Sequence, residues 1–86
     1  QGNVATADGV DGLQRGFFIA GAKAVMVSYW KVDDTFTSLF MKEFYKRWSG
    51  KEPHADEALR STQLHFMAKP EYSSPRYWAS FTIISR

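Results

Sequence analysis

Residues 23–29 read KAVMVSY. The stretch is short, rich in valine and apolar on both alternating faces. A strand whose two side-chain rows both avoid water has this pattern, so it predicts an interior strand of a parallel sheet, covered on both sides. Upstream, Val10, Leu13, Phe17 and Phe18 fall near one face at helical spacing and predict a helix from Gly9. Gly12 and Gly16 each cost such a helix roughly 1 kcal/mol relative to alanine, which close packing on a sheet would offset. Ala20, Gly21 and Ala22 offer a stop, with Gly21 suited to the left-handed cap. A helix that feeds a strand belongs to a βαβ layer, and the strand expected before the helix is missing. Residues 1–8 are small, polar and aperiodic, and read as a loop.

Downstream, residues 30–34 (WKVDD) form a connection, and Asp33 or Asp34 is suited to cap the next helix. That helix is predicted over 35–48. Phe36, Phe40, Phe44 and Trp48 recur every fourth residue with Leu39 beside them, while Lys42, Glu43, Lys46 and Arg47 lie mainly off the stripe. Ser49-Gly50 ends it. A further helix is predicted over 53–68, with Pro53 in its first turn, Ala55, Ala58, Leu59, Thr62 and Phe66 facing inward, and Pro70 as the stop. Residues 77–84 (YWASFTII) predict a second strand. The order helix, strand, helix, helix, strand is an α/β arrangement. Two strands make a marginal sheet, so the sheet is expected to be incomplete without residues outside this chain.

Composition points the same way. Of 86 residues, 44% are hydrophobic and 16% aromatic, more bulk than so small an interior covers. Part of that surface is expected to meet a partner, through self-association or the remainder of the same domain. The 11 basic and 9 acidic residues give a net charge of +2 with no basic run, which argues against a nucleic-acid partner. No apolar stretch approaches the ~20 residues of a membrane span, and no basic residue precedes an apolar block near the start. The chain therefore reads as soluble and cytoplasmic, with no membrane partner. The absence of cysteine excludes a disulfide, a cysteine zinc site and a thiol nucleophile from these residues. His54 and His65 share no ligand spacing, and the glycines form neither a Walker loop nor a dinucleotide turn. No metal and no cofactor is expected, and both histidines read as structural or solvent-facing.

The 30–34 loop is the place where chemistry is expected, because ligands gather at the C-terminal ends of strands in open parallel sheets. It carries an indole and two carboxylates, with Ser28 and Tyr29 just before them. An indole can wall an apolar pocket, and a carboxylate can pair with a basic group. The same residues also have plain structural uses: Trp30 as core, and Asp33 or Asp34 as the helix cap.

The run DGVDGLQRGFFIAGAKAVMVSYWKVDDTFTSLFMKEFYKRW, residues 8–48, resembles the C-terminal half of CHAT domains. These typically read close to EGV-x-GL-x-RAF-x-x-AGA-x-x-V-x-x-SLW-x-V-x-D-x-x-T, followed by a helix ending in FY. EALRSTQLHF and PRYWASFTII resemble the family's next helix and final strand, so the likeness covers about residues 9–84. Asp8, Gly16 and Tyr29 depart from the usual Glu, Ala and Leu. A shorter similarity to separase lies in the same AG…W-x-V-x-D stretch. The resemblance implies a caspase-like three-layer sandwich of which this chain is the C-terminal part. Residues 1–8 would be the loop after the strand bearing the catalytic cysteine, and 9–86 the C-terminal part of a single domain. It implies a cysteine endopeptidase whose His–Cys dyad lies upstream, so that no catalytic residue falls in this chain and the chain alone is inactive. The N-terminal half of the same domain and a peptide or protein substrate would be its partners. Ser28, Tyr29 and Trp30 would line the peptide groove, and Asp33 or Asp34 would favour a basic substrate residue. The alternative is a caspase-like scaffold or interaction module that lacks the dyad.

Overall fold

The computed structural model describes residues 4–8, 15–19, 24–48 and 54–85. The valine-rich stretch is strand β3, Ala24–Ser28, and it is interior as its apolar pattern requires. Strand β2, Arg15–Ile19, pairs with it on one side, and β4, Phe81–Ser85, on the other. Both pairings are antiparallel, which corrects the expectation of a parallel sheet. The connection explains the direction. Only residues 20–23 separate β2 from β3, too few for the crossover of about a dozen residues that a parallel neighbour needs.

Strand β2 also corrects the helix expected from Gly9. Residues 9–14, and with them the start of that expected helix, lie outside the described residues, as does Gly21. Over 15–19 the backbone is extended. Gly16 is a poor helix former, and the Phe17-Phe18-Ile19 run favours a pleated strand once a partner strand is available. Strand β1, Val4–Asp8, occupies part of the segment expected as a loop and pairs antiparallel with β2, from Val4↔Ile19 to Asp8↔Arg15. Among the described residues the sheet thus has four strands, in the order β1-β2-β3-β4, rather than two.

The chain is α/β, and its described helices all fall between β3 and β4. Helix α1, Asp34–Arg47, starts where Asp33 Oδ2 accepts a hydrogen bond from the Phe36 amide at 2.9 Å. That bond satisfies one of the amides that a helix start leaves unpaired. Phe36, Phe40 and Phe44 are 0% exposed, as their spacing predicts, whereas Leu39 lies on the outer side and is 39% exposed. Helix α2, Ala55–Met67, buries Ala55, Ala58, Leu59, Thr62 and Phe66, the face expected for it. The Ser49-Gly50 stop and Pro53 lie outside the described residues.

The two helices and the β3–β4 part of the sheet enclose an aromatic core. Phe40 stacks on Phe81 of β4 at 4.3 Å, and Phe36 meets the edge of Phe66 at 5.0 Å. Met26 of β3 is fully buried in the same cluster. Each such side chain contributes about 1.5–3 kcal/mol by leaving water, and the ring pairs add about 0.5–1.5 kcal/mol each.

The last strand is shorter than expected. Tyr77 and Trp78 belong not to β4 but to a one-turn helix α3, Pro75–Trp78. Their aromatic content favours a strand, but Ser74 and Pro75 form a helix start. The Ser74 hydroxyl accepts from the Arg76 amide, and the Ala79 amide closes the turn on the Pro75 carbonyl at 2.9 Å. A 3-10 turn, Pro70–Tyr72, precedes it.

Candidate functional site

An open groove of about 820 Å³ lies between the β3–α1 loop and the segment before β4. Trp30, Lys31, Val32 and Asp33 form one wall, and Glu71, Tyr72, Arg76 and Tyr77 the other. Because β3 pairs antiparallel on both sides, the rule that places ligands at parallel strand ends does not apply. The loop forms a wall here because a distant segment folds against it.

Three hydrogen bonds join the end of β3 and its loop to the segment before β4, one of them between lining residues. The Tyr29 amide donates to the Ser80 carbonyl at 3.0 Å. The Trp30 indole Nε1 donates to the Arg76 carbonyl at 3.0 Å. The Ser28 hydroxyl lies 3.2 Å from the Ser80 hydroxyl, and it also reaches the Trp30 carbonyl at 2.6 Å. The indole is therefore oriented by its polar edge, while 42% of the residue stays exposed.

The residues singled out in the sequence divide accordingly. Trp30 and Asp33 line the groove. Ser28 is 4% exposed, and its hydroxyl is occupied beneath the wall. Tyr29 is 52% exposed but outside the lining. Asp34 lies in the first turn of α1, also outside the lining, and it is Asp33 that makes the capping bond. Asp33 is thus both cap and wall. The sequence reading passed over Lys31, Glu71, Tyr72, Arg76 and Tyr77. Their signal is a cluster of aromatic and charged residues inside a segment that otherwise reads as a turn.

The groove carries both charges and three aromatic rings. Asp33 and Glu71 bring carboxylates, and Lys31 and Arg76 bring cations. The Arg76 guanidinium lies 4.6 Å from the centre of the Tyr77 ring and donates to the Tyr77 hydroxyl at 2.7 Å. That contact occupies one cation with one ring. Tyr72 and Tyr77 pack edge to face at 5.3 Å. Such a surface suits an extended, amphipathic chain: aromatic walls hold apolar stems, and opposed charges fix register.

A second polar cluster bridges α1 and α2 away from the groove. Arg47 reaches Glu43 at 2.9 Å, the Ser61 hydroxyl at 2.6 Å and His65 Nδ1 at 3.1 Å. Burial raises the Glu43 carboxyl, but the Arg47 hydrogen bond and the charges of His65, Lys46 and Arg47 together hold it below its ordinary value. Every member of this cluster has a neighbour on the helix pair, and the arrangement acts as a polar staple. His54 is exposed at the start of α2. Among the described residues no group of three or more His, Cys, Asp or Glu side chains could hold a metal ion. Among them, too, no helix is long and apolar enough to cross a membrane.

Comparison with known proteins gives this geometry a family. No solved structure matches the chain. Human "Tetratricopeptide repeat protein 28" is 36% identical over 80 residues, and its mouse counterpart 35% identical over 82. Each match covers 92% of this chain but 3% of the relative, so the chain spans a small part of the length of those proteins. The family model for the CHAT domain matches residues 1–86, and the chain belongs to this caspase-like family, the CHAT domains.

Proposed function

We propose that this chain forms a substrate-groove wall of a caspase-like cysteine endopeptidase, with the nucleophilic thiol and its histidine supplied by residues outside it. The groove between the 30–33 loop and the 71–77 segment carries the reading, because it joins aromatic walls to two carboxylates along an open channel. A peptide entering it would lay an apolar stem against Trp30 and Tyr72. A basic side chain of that peptide would meet Asp33 and Glu71. The chain has no cysteine, so its own residues bind and orient rather than attack. The thiolate, supplied elsewhere, would attack the scissile carbonyl, with backbone amides stabilising the oxyanion.

The test uses the intact protein that contains this chain and a short fluorescein-labelled peptide carrying one lysine. Binding that Trp30→Ala weakens, together with cleavage abolished by thiol alkylation, supports the reading. Binding without thiol-dependent cleavage would favour a caspase-like scaffold that holds peptides. A peptide affinity indifferent to Trp30→Ala would sink the groove assignment itself.

A further inference from the structure

Ser80 lies in the final-strand motif without being singled out there and does not line the groove, yet it bonds both residues that lead into the groove loop, Ser28 and Tyr29. Its carbonyl accepts the Tyr29 amide at 3.0 Å, and its side chain, 0% exposed, lies 3.2 Å from the Ser28 hydroxyl. Ser28 has one hydroxyl proton and two oxygen neighbours. The Trp30 carbonyl, at 2.6 Å, is an acceptor only, so Ser28 donates there and accepts from Ser80. The bonds form a relay: the Ser80 hydroxyl to Ser28, and Ser28 to the Trp30 backbone. At its outer end the Trp30 indole is anchored on the Arg76 carbonyl, in the same segment as Ser80.

We propose that Ser80 is a positioning residue of the groove, whose buried hydroxyl holds Ser28 in the rotamer that fixes the Trp30 wall. The proposal rests on the reading of the groove as a peptide site. The relay spans positions 52 residues apart, so it ties the start of the helical region to its end. Placement of Trp30 then depends on a side chain that no ligand touches. Both hydroxyls sit where an unpaired polar group is costly: removing Ser28 takes this partner from the Ser80 hydroxyl, whereas removing Ser80 leaves Ser28 bonded to the Trp30 carbonyl alone.

The experiment measures two things on the intact protein, for Ser80→Ala, Ser28→Ala and the double variant. Hydrogen exchange by mass spectrometry reads the Tyr29 amide, with α2 as an internal standard. Fluorescence anisotropy reads the affinity for the lysine peptide. Ser80→Ala is expected to speed exchange at Tyr29 about fivefold and weaken peptide binding about fivefold, the loss of one ordinary hydrogen bond, with α2 unchanged. Ser28→Ala should weaken binding further, and adding Ser80→Ala to it should change nothing more, because the relay is already broken. Additive losses would overturn the relay, as would wild-type exchange and affinity in Ser80→Ala. Should Ser80→Ala also loosen α2, Ser28→Ala carries the same exchange test. If Tyr29 exchange responds but no variant, Trp30→Ala included, alters peptide affinity, the positioning role stands and the peptide reading falls.

Discussion

Replacing Asp33 by alanine and, separately, by asparagine separates its two uses. The carboxylate caps α1 through the Phe36 amide at 2.9 Å and stands on the groove wall. Alanine removes cap and charge together. Losing an N-cap of this kind costs about 1 kcal/mol, within a range of roughly 0.5–2. That is about fivefold in the opening of the first turn. Asparagine caps nearly as well but is neutral. It forfeits only the attraction between a carboxylate and the helix start, about 0.3 kcal/mol for an exposed side chain. For a peptide lysine the ordering differs. An exposed ion pair is worth about 0.2–1 kcal/mol, so both variants should weaken binding by up to about fivefold and to the same degree. The assays are hydrogen exchange across the first turn of α1 and anisotropy with the lysine peptide, at low salt so that screening does not mask the pair. Exchange in Asp33→Asn as fast as in Asp33→Ala would refute the capping argument. Wild-type affinity in Asp33→Asn would refute a role for this carboxylate in reading a basic residue.

Other outcomes follow from packing and charge. Phe40→Ala removes a fully buried ring stacked at 4.3 Å on Phe81 and should cost about 3–5 kcal/mol in urea unfolding. Leu39→Ala, on the outer side of the same helix, should stay within about 0.5 kcal/mol. Tyr45 buries a hydroxyl that has no partner among the described residues, and burial raises its ionisation above the ordinary value. Tyr45→Phe should therefore leave the urea midpoint unchanged or raise it, and a clear drop would mean that the hydroxyl is bonded. Glu43 is held below the ordinary carboxylate value of 4.5. A depressed folded value means that the unfolded chain takes up the proton first. Its contribution is present at neutral pH and fades as pH falls from about 5 through the lower folded value. Glu43→Gln should flatten that part of the stability–pH curve, and an unchanged slope would show that the staple contributes nothing.

The helical region was legible because its signals agree. In α1 the phenylalanines at every fourth residue, the capping aspartate and the off-face charges all indicate the same helix, and the structure turns Leu39 outward and leaves Trp48 just past the helix end. In α2 the inward face was read residue by residue. The sheet was harder. Val10, Leu13, Phe17 and Phe18 fit a helical face, yet the same Phe17-Phe18-Ile19 run suits a strand. Periodicity over so few residues cannot choose between them, and the antiparallel pairing with β3 does. Likewise the aromatics of residues 77–84 carried the strand assignment, while Ser74-Pro75 decided the local backbone. Two of the eight lining residues, Trp30 and Asp33, were singled out for a related reason. Trp30 and Asp33 flank a predicted strand end, but Tyr72, Arg76 and Tyr77 reach the same place only through tertiary folding.

That tertiary folding also makes the groove wall part of the core. Tyr72 and Tyr77 line the groove, and both pack on Phe36, at 5.0 Å and 5.2 Å. Phe36 is fully buried in the first turn of α1, and its amide makes the capping bond with Asp33. One residue thus touches the wall from behind on both sides: through its ring to the tyrosines, and through its backbone to the aspartate. A densely packed interior transmits displacement instead of absorbing it. A shift of α1 along its axis therefore moves Asp33 and both tyrosines together, while Trp30 is held in addition by its bonds to Arg76 and through Ser28 to Ser80. The aromatic core thus backs both walls, through Val32 and Asp33 on one and the two tyrosines on the other, and hydrogen bonds fix Trp30 across the groove. Substitutions in the core should alter stability and groove shape together, and substitutions in the hydroxyl relay should alter groove shape at a smaller cost in stability.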